Sequence, residues 1–468
     1  VVVVATDALM AHAERIRDLA LALRTDARAV AALPWISAAG SPDPAVHRAA
    51  LQAPAVSAVR AAAELADRAC AALRSAVESY AAVEAEQRAR AARLGETLGV
   101  AFAPLIRVLL ILGLPLLTVG RVAGFPSAGD ADFMRRWLME HPGVITNPGF
   151  VEAVRTAATS LDDTVAATLG LSPQLASGVA AVEGFPGVEA GAMVVLGAAA
   201  PLGLLRGGPV SVDRVATLPL DSGPRGAVER LARVPEGDQV RIERYDAPGV
   251  SPRYVVYVGP TETFSPVTGD EPWDLGSNVA GVAGLAADSI RATEAAMHEA
   301  GITAGDEVQF VGFSQGGLVA ARLAAEGSWN ARGLETYGAP TGNVSLPEGL
   351  SGMAVRNSDD FVPALAGPQL DQRLLQVERQ AFAPGSPIPD ELPAPAHQRS
   401  AYVATATEID AARSDAVRSQ VRAMDAFTAD YLRREGAHAT VMLYHAERGG
   451  GVALGGHVPA ATSAGPSR

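Results

Sequence analysis

Lysine is absent from this 468-residue chain, and all 38 basic residues are arginine. With alanine so abundant, that reads as GC-rich codon usage rather than as a functional signal. Against 51 acidic residues, the arginines leave a formal net charge of −13. A surface of that sign repels a phosphate backbone, which argues against a nucleic-acid-binding role. There is a single cysteine, Cys70. An intrachain disulfide and a cysteine-based zinc site are therefore excluded. The eight histidines are scattered, with no H-x-x-x-H pair, so neither a histidine metal site nor a cofactor is expected. The opening run Val1–Asp7 has no basic residue, and a Sec-type leader is not expected. Cytoplasmic residence and export by another route both stay open.

Long uninterrupted apolar runs are also scarce. Residues 98–120 are apolar except for Arg107, but Pro104, Pro115, Gly99 and Gly113 break the stretch. Mid-segment arginine is costly in lipid. A second run, Ala190 to Leu205, is too short to span a bilayer. A buried helix or a lid over a substrate pocket accounts for both, so membrane contact is allowed but not favoured.

The length makes two or three domains the expectation, and 49% hydrophobic residues suffice for a sizeable core. Residues 1–97 read as a helical hairpin. Leu9, Ile16, Leu23 and Val30 recur every seven residues in its first helix. Pro34, Gly40 and Pro42 mark the connecting loop. In the second helix Val56, Val59, Ala63, Ala66, Cys70, Leu73, Val77 and Tyr80 alternate three- and four-residue steps. That is a narrow seam of coiled-coil period, suited to another helix pair. A helical partner protein, or simple packing on the rest of the chain, would cover it. Residues 98–235 read as a helical lid and linker, with 206–235 rich in Gly, Pro, Arg and Asp. From 236 to 447 strands and helices alternate: strands at 239–245, 253–258, 307–312, 334–337, 353–356, 374–379 and 440–445, and helices over 276–301, 318–326 and 401–434. Such alternation predicts an α/β domain, a mostly parallel sheet with helices on both faces. Residues 448–468, rich in Gly, Ala, Ser and Pro, are expected to be disordered.

Val308 to Gly317 carries the most information. A β-forming run ends in a G-x-S-x-G turn at Gly312 to Gly316, and an Ala/Leu-rich helix follows. A serine on so tight a turn projects its hydroxyl above the sheet, and glycines let strand and helix meet. Serine needs an imidazole base, and the base needs a carboxylate. In α/β-hydrolases the chain order is serine, acid, histidine. Ser314 is the expected nucleophile. Asp360, in the loop after strand 353–356, is the favoured acid, with Asp359 as the alternative. His397 is the favoured base, with His438, His445 and His457 as rivals. The backbone N–H groups of Gln315 and Thr261 are the expected oxyanion donors.

These residues resemble the class 3 lipase branch of the α/β-hydrolases over 236–445. The resemblance rests on the elbow Gly312–Gly317, the turn Thr336–Pro340 and the acid loop Asn357–Pro363. Gly259–Thr261 with Trp273 and Asp274 adds an oxyanion-loop pattern. Asp359 stands where the family pattern has Asn, and Pro260 is inserted. Gly312–Gly317 also matches acyl-protein thioesterases, whose H-G oxyanion motif is missing here. The hairpin, followed by Tyr80-Ala-Ala-Val-Glu84, resembles the WxG-type modules of actinobacterial type VII secretion substrates, although Ser37 replaces the glycine after Trp35. The resemblances imply an α/β-hydrolase fold behind an all-helical N-terminal region, a Ser-His-Asp triad and an ester or lipid substrate. They also imply export by a type VII-like route. The alternative they leave is a secreted interaction protein or an envelope acyltransferase, with hydrolysis secondary or absent.

Overall fold

A computed structural model describes residues 6–32, 56–75 save 73, 139–159, 188–200, and 204–449 save 266, 372, 384 and 391. The chain divides into two compact units, Val1–Arg93 and Leu94–Arg468. Two helices make up the described part of the first unit: α1 (Thr6–Ala32) and α2 (56–72). Ala13, Ala20 and Ala27 of α1 are buried, as are Val56, Ala63 and Cys70 of α2. The Cys70 thiol donates to the Ala13 carbonyl at 3.3 Å. Arg24 pairs with Asp67 across the two helices. The seven-residue recurrence of Ile16 and Leu23 flanks this seam rather than forming it. Both are only half-buried. Alanines at the contact let two helices approach closely, and the larger side chains then sit at the margins. Trp35, the Tyr80–Glu84 pattern, the run 98–120 and the tail beyond 449 lie outside the described residues.

The second unit is built on one eight-stranded sheet, ordered β1-β8-β2-β3-β4-β5-β6-β7. The strands are β1 Val210–Leu220, β2 Val240–Asp246, β3 Arg253–Val258, β4 Glu307–Phe313, β5 Asn330–Tyr337, β6 Ser351–Asn357, β7 Leu375–Arg379 and β8 His438–Arg448. β3 to β7 run parallel, whereas the β2–β3, β2–β8 and β1–β8 pairs are antiparallel. Central strands covered on both faces read as near-continuous apolar runs, as β3 does with Tyr254-Val-Val-Tyr-Val258.

Besides a single turn at Pro142–Ile145, the described helices of this unit are α3 Pro148–Thr159, α4 Val188–Ala199, α5 Gly226–Arg233, α6 Leu275–Val282, α7 Asp288–Glu299, α8 Gln315–Ala325, α9 Arg399–Asp410 and α10 Asp415–Leu432. Neighbouring strand residues point to opposite faces. Glu335 of β5 meets Arg230 of α5, while Thr336, next along, lies beside Gly317 of α8. The sheet is therefore layered by helices on both sides. Its main core joins Val256, Val258, Phe310, Leu318, Val319, Leu323 and Leu334 with Ile290 and Met297 of α7. None of the described helices is long and apolar enough to cross a membrane.

Three sequence expectations need correction. The 206–235 stretch is not a linker: β1 pairs with β8 along its whole length, and α5 packs beneath the sheet. β1 is an edge strand, mostly solvent-facing, so its apolar pattern is weak and Pro219 is tolerated. The helix over 276–301 is two helices, with a turn at Gly284 (φ 74°). The helix over 401–434 is also two. α9 ends at Asp410, whose carboxylate accepts the N–H groups of Ala227 and Val228 at the start of α5. A tertiary contact between helices accompanies that break, and no glycine or proline marks it.

Arg230 is wholly buried and pairs with Glu335 at 3.0 Å and with Asp425. Burial pushes the Glu335 carboxyl above its usual range, opposed by the charge of Arg230. Arg230→Met would leave a buried carboxylate unpaired. It should destabilise the protein by about 3–5 kcal/mol in urea titration at neutral pH. A loss below about 1 kcal/mol would show that the pair is not what holds α5 to the sheet.

Candidate active site

The parallel strands end level with one another. Register pairs Val258 with Gly312, Phe313 with Tyr337, Tyr337 with Val355, and Asn357 with Arg379. The segments leaving β3 to β7 therefore share one edge of the sheet, the place where open α/β sheets gather functional groups.

Ser314 is the single residue between β4 and α8. Its backbone sits at φ 55° and ψ −123°. Such a conformation costs a non-glycine residue about 1–3 kcal/mol and persists only where the surroundings enforce it. Here the Ser314 N–H donates to the Tyr337 carbonyl at 2.8 Å. The Ser314 carbonyl accepts from Gly317 and Leu318. Neither flanking glycine has room for a side chain. A Cβ at Gly312 would overlap the Gly316 carbonyl, and one at Gly316 would overlap the carbonyl oxygens of Val258 and Gly259. The Gly259–Thr261 turn is thereby pressed against the start of α8.

His397 belongs to a single 3-10 turn, Pro395–His397, between the loop after β7 and α9. Its Nε2 lies 2.8 Å from the Ser314 hydroxyl and its Nδ1 2.7 Å from Asp360 Oδ2. The imidazole stacks on Phe313, with ring centroids 5.3 Å apart and planes at 21°. The other Asp360 oxygen, Oδ1, accepts the Val362 N–H at 2.9 Å. With Nδ1 donating to a carboxylate, Nε2 is left as acceptor for the serine hydroxyl.

The two adjacent aspartates face different partners. Asp359 accepts the N–H groups of Ala381 and Phe382 at 2.8 and 2.9 Å, tying the acid loop to the segment that leads to His397. Burial raises its carboxyl above the usual range, those two N–H bonds oppose the rise, and the neighbouring Asp360 charge adds to it. Asp360 is the one that reaches the imidazole. Among the rival histidines, His438 is mostly exposed and 4.0 Å from Asp246, and His445 lies on β8 with Glu447. His457 lies outside the described residues.

The remaining predicted residues lie along the same edge. Gln315 is the first residue of α8, so its backbone N–H has no carbonyl partner within the helix. Its side chain turns inward, donating to the Asp274 carbonyl and the Ser289 hydroxyl. Thr261 is half-buried, and its hydroxyl accepts from the Asn278 amide at 2.9 Å. Asp274 caps α6 through the Ser277 N–H and pairs with Arg448 at 2.9 Å, which steadies the loop that returns from Thr261. Burial raises the Asp274 carboxyl, opposed by Ser277 and Arg448. Among the described residues, no cluster of His, Cys, Asp and Glu is placed to hold a metal ion.

Two of the described helices from 98–205 pack on loops that leave this edge of the sheet. α3 packs on the turn Pro363–Ala366, with Phe150 edge-on to Phe361 at 6.3 Å. α4 is anchored by Glu189, which takes hydrogen bonds from Arg322 and Asn343 at 3.3 and 3.0 Å. Sequence reasoning did not single out Tyr402, whose hydroxyl lies 2.8 Å from Asp360 Oδ2. Nor did it give Asn357 a role of its own, although its amide donates to the Ala396 carbonyl beside His397. Neither carries a local motif. The only signal was that Tyr402 falls in the first turn of the helix after His397.

Compared with protein-family models, with curated proteins and with solved structures, the chain matches none.

The close approach at the elbow makes a direct test. Gly316→Ala should lower the urea midpoint by an amount equivalent to about 3 kcal/mol or more, because the methyl would have to displace backbone rather than side chains. Retention of wild-type stability would mean that α8 and the Gly259 turn do not meet as described.

Proposed function

We propose that this chain is a serine ester hydrolase with an α/β-hydrolase fold. The observation that carries the reading is the hydrogen-bonded line Ser314 Oγ, His397 Nε2, His397 Nδ1, Asp360 Oδ2, with links of 2.8 and 2.7 Å. The residues come in the chain order serine, acid, histidine and leave the ends of parallel strands, as that fold requires. The strained turn at Ser314 has the position and backbone shape of a nucleophile elbow.

In this reading Ser314 Oγ attacks the acyl carbonyl carbon while His397 Nε2 takes the hydroxyl proton. Asp360 holds the imidazole in the tautomer that can accept it and stabilises the imidazolium that results. The carbonyl oxygen becomes an oxyanion. The N–H of Gln315 and the N–H of Thr261 are its donors, one from the start of α8 and one from the turn packed against Gly316. Collapse of the tetrahedral species breaks the ester C–O bond, and His397 returns the proton to the leaving alcohol. Water then repeats the sequence on the acyl-enzyme, releasing the acid and restoring Ser314. A hydroxyl acceptor in place of water would give acyl transfer by the same steps.

Ser314→Ala should abolish labelling by a fluorophosphonate probe and lower ester hydrolysis at least about 10³-fold, with an unchanged circular dichroism spectrum. Labelling that survives the substitution would remove the assignment. The two aspartates should separate cleanly. Asp360→Asn is expected to lower kcat by roughly 10³- to 10⁴-fold, because the imidazole then loses its tautomeric control. Asp359→Asn keeps one of the two acceptor oxygens that serve Ala381 and Phe382 and leaves the contact to His397 in place, and should cost about tenfold or less in kcat. Equal losses in the two variants would contradict this division of roles.

A further inference from the structure

A phenol has one proton, and around Tyr402 the partners dictate where it goes. The ring is wholly buried. The Asn357 backbone N–H donates to its oxygen at 3.1 Å. That N–H can only donate, so the phenol proton is left for the other neighbour, Asp360 Oδ2, at 2.8 Å. The same carboxylate oxygen receives His397 Nδ1–H at 2.7 Å. We propose that Tyr402 is a positioning residue, which shares the charge of Asp360 with His397 and fixes the carboxylate in the plane that the imidazole needs.

This inference rests on the serine hydrolase reading for its catalytic consequence, but not for its geometry. Asp360 is held by three donors from three places: Val362 in its own loop, His397 before α9, and Tyr402 within α9. Asn357 ties the same parts together through its side chain. Its amide donates to the Ala396 carbonyl, and its oxygen accepts from Thr405 of α9, both at 2.8 Å. The ring has a fitted berth. Phe313 meets it edge-on at 5.5 Å, and a Cβ at Gly338 (φ 60°) would come within 3.0 Å of it. Burial, and after it the Asp360 charge, push the Tyr402 hydroxyl well above its usual range, so it remains a donor throughout the working pH range. The adjacent carboxylate, Asp359, is turned to Ala381 and Phe382.

Tyr402→Phe keeps the ring and deletes the donor. The direct readout is the low-field proton resonance of His397 Nδ1–H, observed in histidine-labelled full-length protein. Without Tyr402, Asp360 Oδ2 has a single donor there. Its bond to the imidazole strengthens, and the resonance should move downfield. The second readout is hydrolysis of a short p-nitrophenyl ester, where kcat should fall about tenfold with KM unchanged. A resonance and a kcat both at wild-type values in a folded variant would overturn the proposal. So would a fall in kcat with no movement of the resonance, since that is what loosened packing alone would do. If Tyr402→Phe does not fold, 3-fluorotyrosine at position 402 serves instead. Its more acidic phenol is a stronger donor, and the resonance should move upfield, while no movement refutes the proposal. If wild-type protein takes no fluorophosphonate and cleaves no ester, the hydrolase reading falls. The resonance then still decides the role of Tyr402.

Discussion

A strand ends and a helix begins within one residue at Ser314, and the two can meet only because hydrogen stands where Cβ atoms would be at Gly312 and Gly316. Much else follows from that close approach. It brings the carbonyls of Val258 and Gly259 against the first turn of α8, which sets the Thr261 turn beside the serine. It forces Ser314 to positive φ, a strain held by the hydrogen bond to Tyr337 on the neighbouring strand. At the start of α8 the N–H groups of Gly317 and Leu318 turn back to the Ser314 carbonyl, and those of Gln315 and Gly316 have no carbonyl within the helix to donate to.

Around this steric core, buried charges do the fastening. Arg230 joins α5 to β5 and α10 through Glu335 and Asp425. Arg448, the last residue of β8, spans Asp274 and Asp288 and so links the end of that strand to the N-cap of α6 and the first residue of α7. Glu189 gathers Arg322 and Asn343 and docks α4. Each carboxylate is satisfied by more than one donor, the condition under which a charge can be held away from water. Arginine suits these positions because its planar fork serves two partners at once.

Asp359 and Asp360 show how one loop separates two identical side chains by direction alone. Alternate residues of the turn face opposite ways, so Asp359 meets backbone N–H groups of the incoming segment while Asp360 meets the imidazole and Tyr402. The first bonds bring the histidine-bearing segment home and the second orient its ring. His397 is the endpoint of both. Its stacking on Phe313, the residue before the serine, closes the circle through β4.

The α/β class, the mostly parallel sheet and the elbow at Ser314 were legible in the sequence, because apolar period and glycine placement are local signals. The meeting of Asp360 and His397 with Ser314 was also expected, since chain order and strand ends narrow the choice to a few residues, and the three side chains do lie within hydrogen-bond reach. The edge strand β1 was not legible: a strand exposed on much of its surface lacks the apolar alternation by which strands are read. Nor was the break between α9 and α10, which coincides with Asp410 capping a helix distant in sequence. Choosing between adjacent aspartates, and finding Tyr402 and Asn357 around them, needed the tertiary structure. Hydrogen bonds between residues tens of positions apart leave no periodicity behind, and only the packed arrangement of α9 against β6 brings their donors and acceptors together.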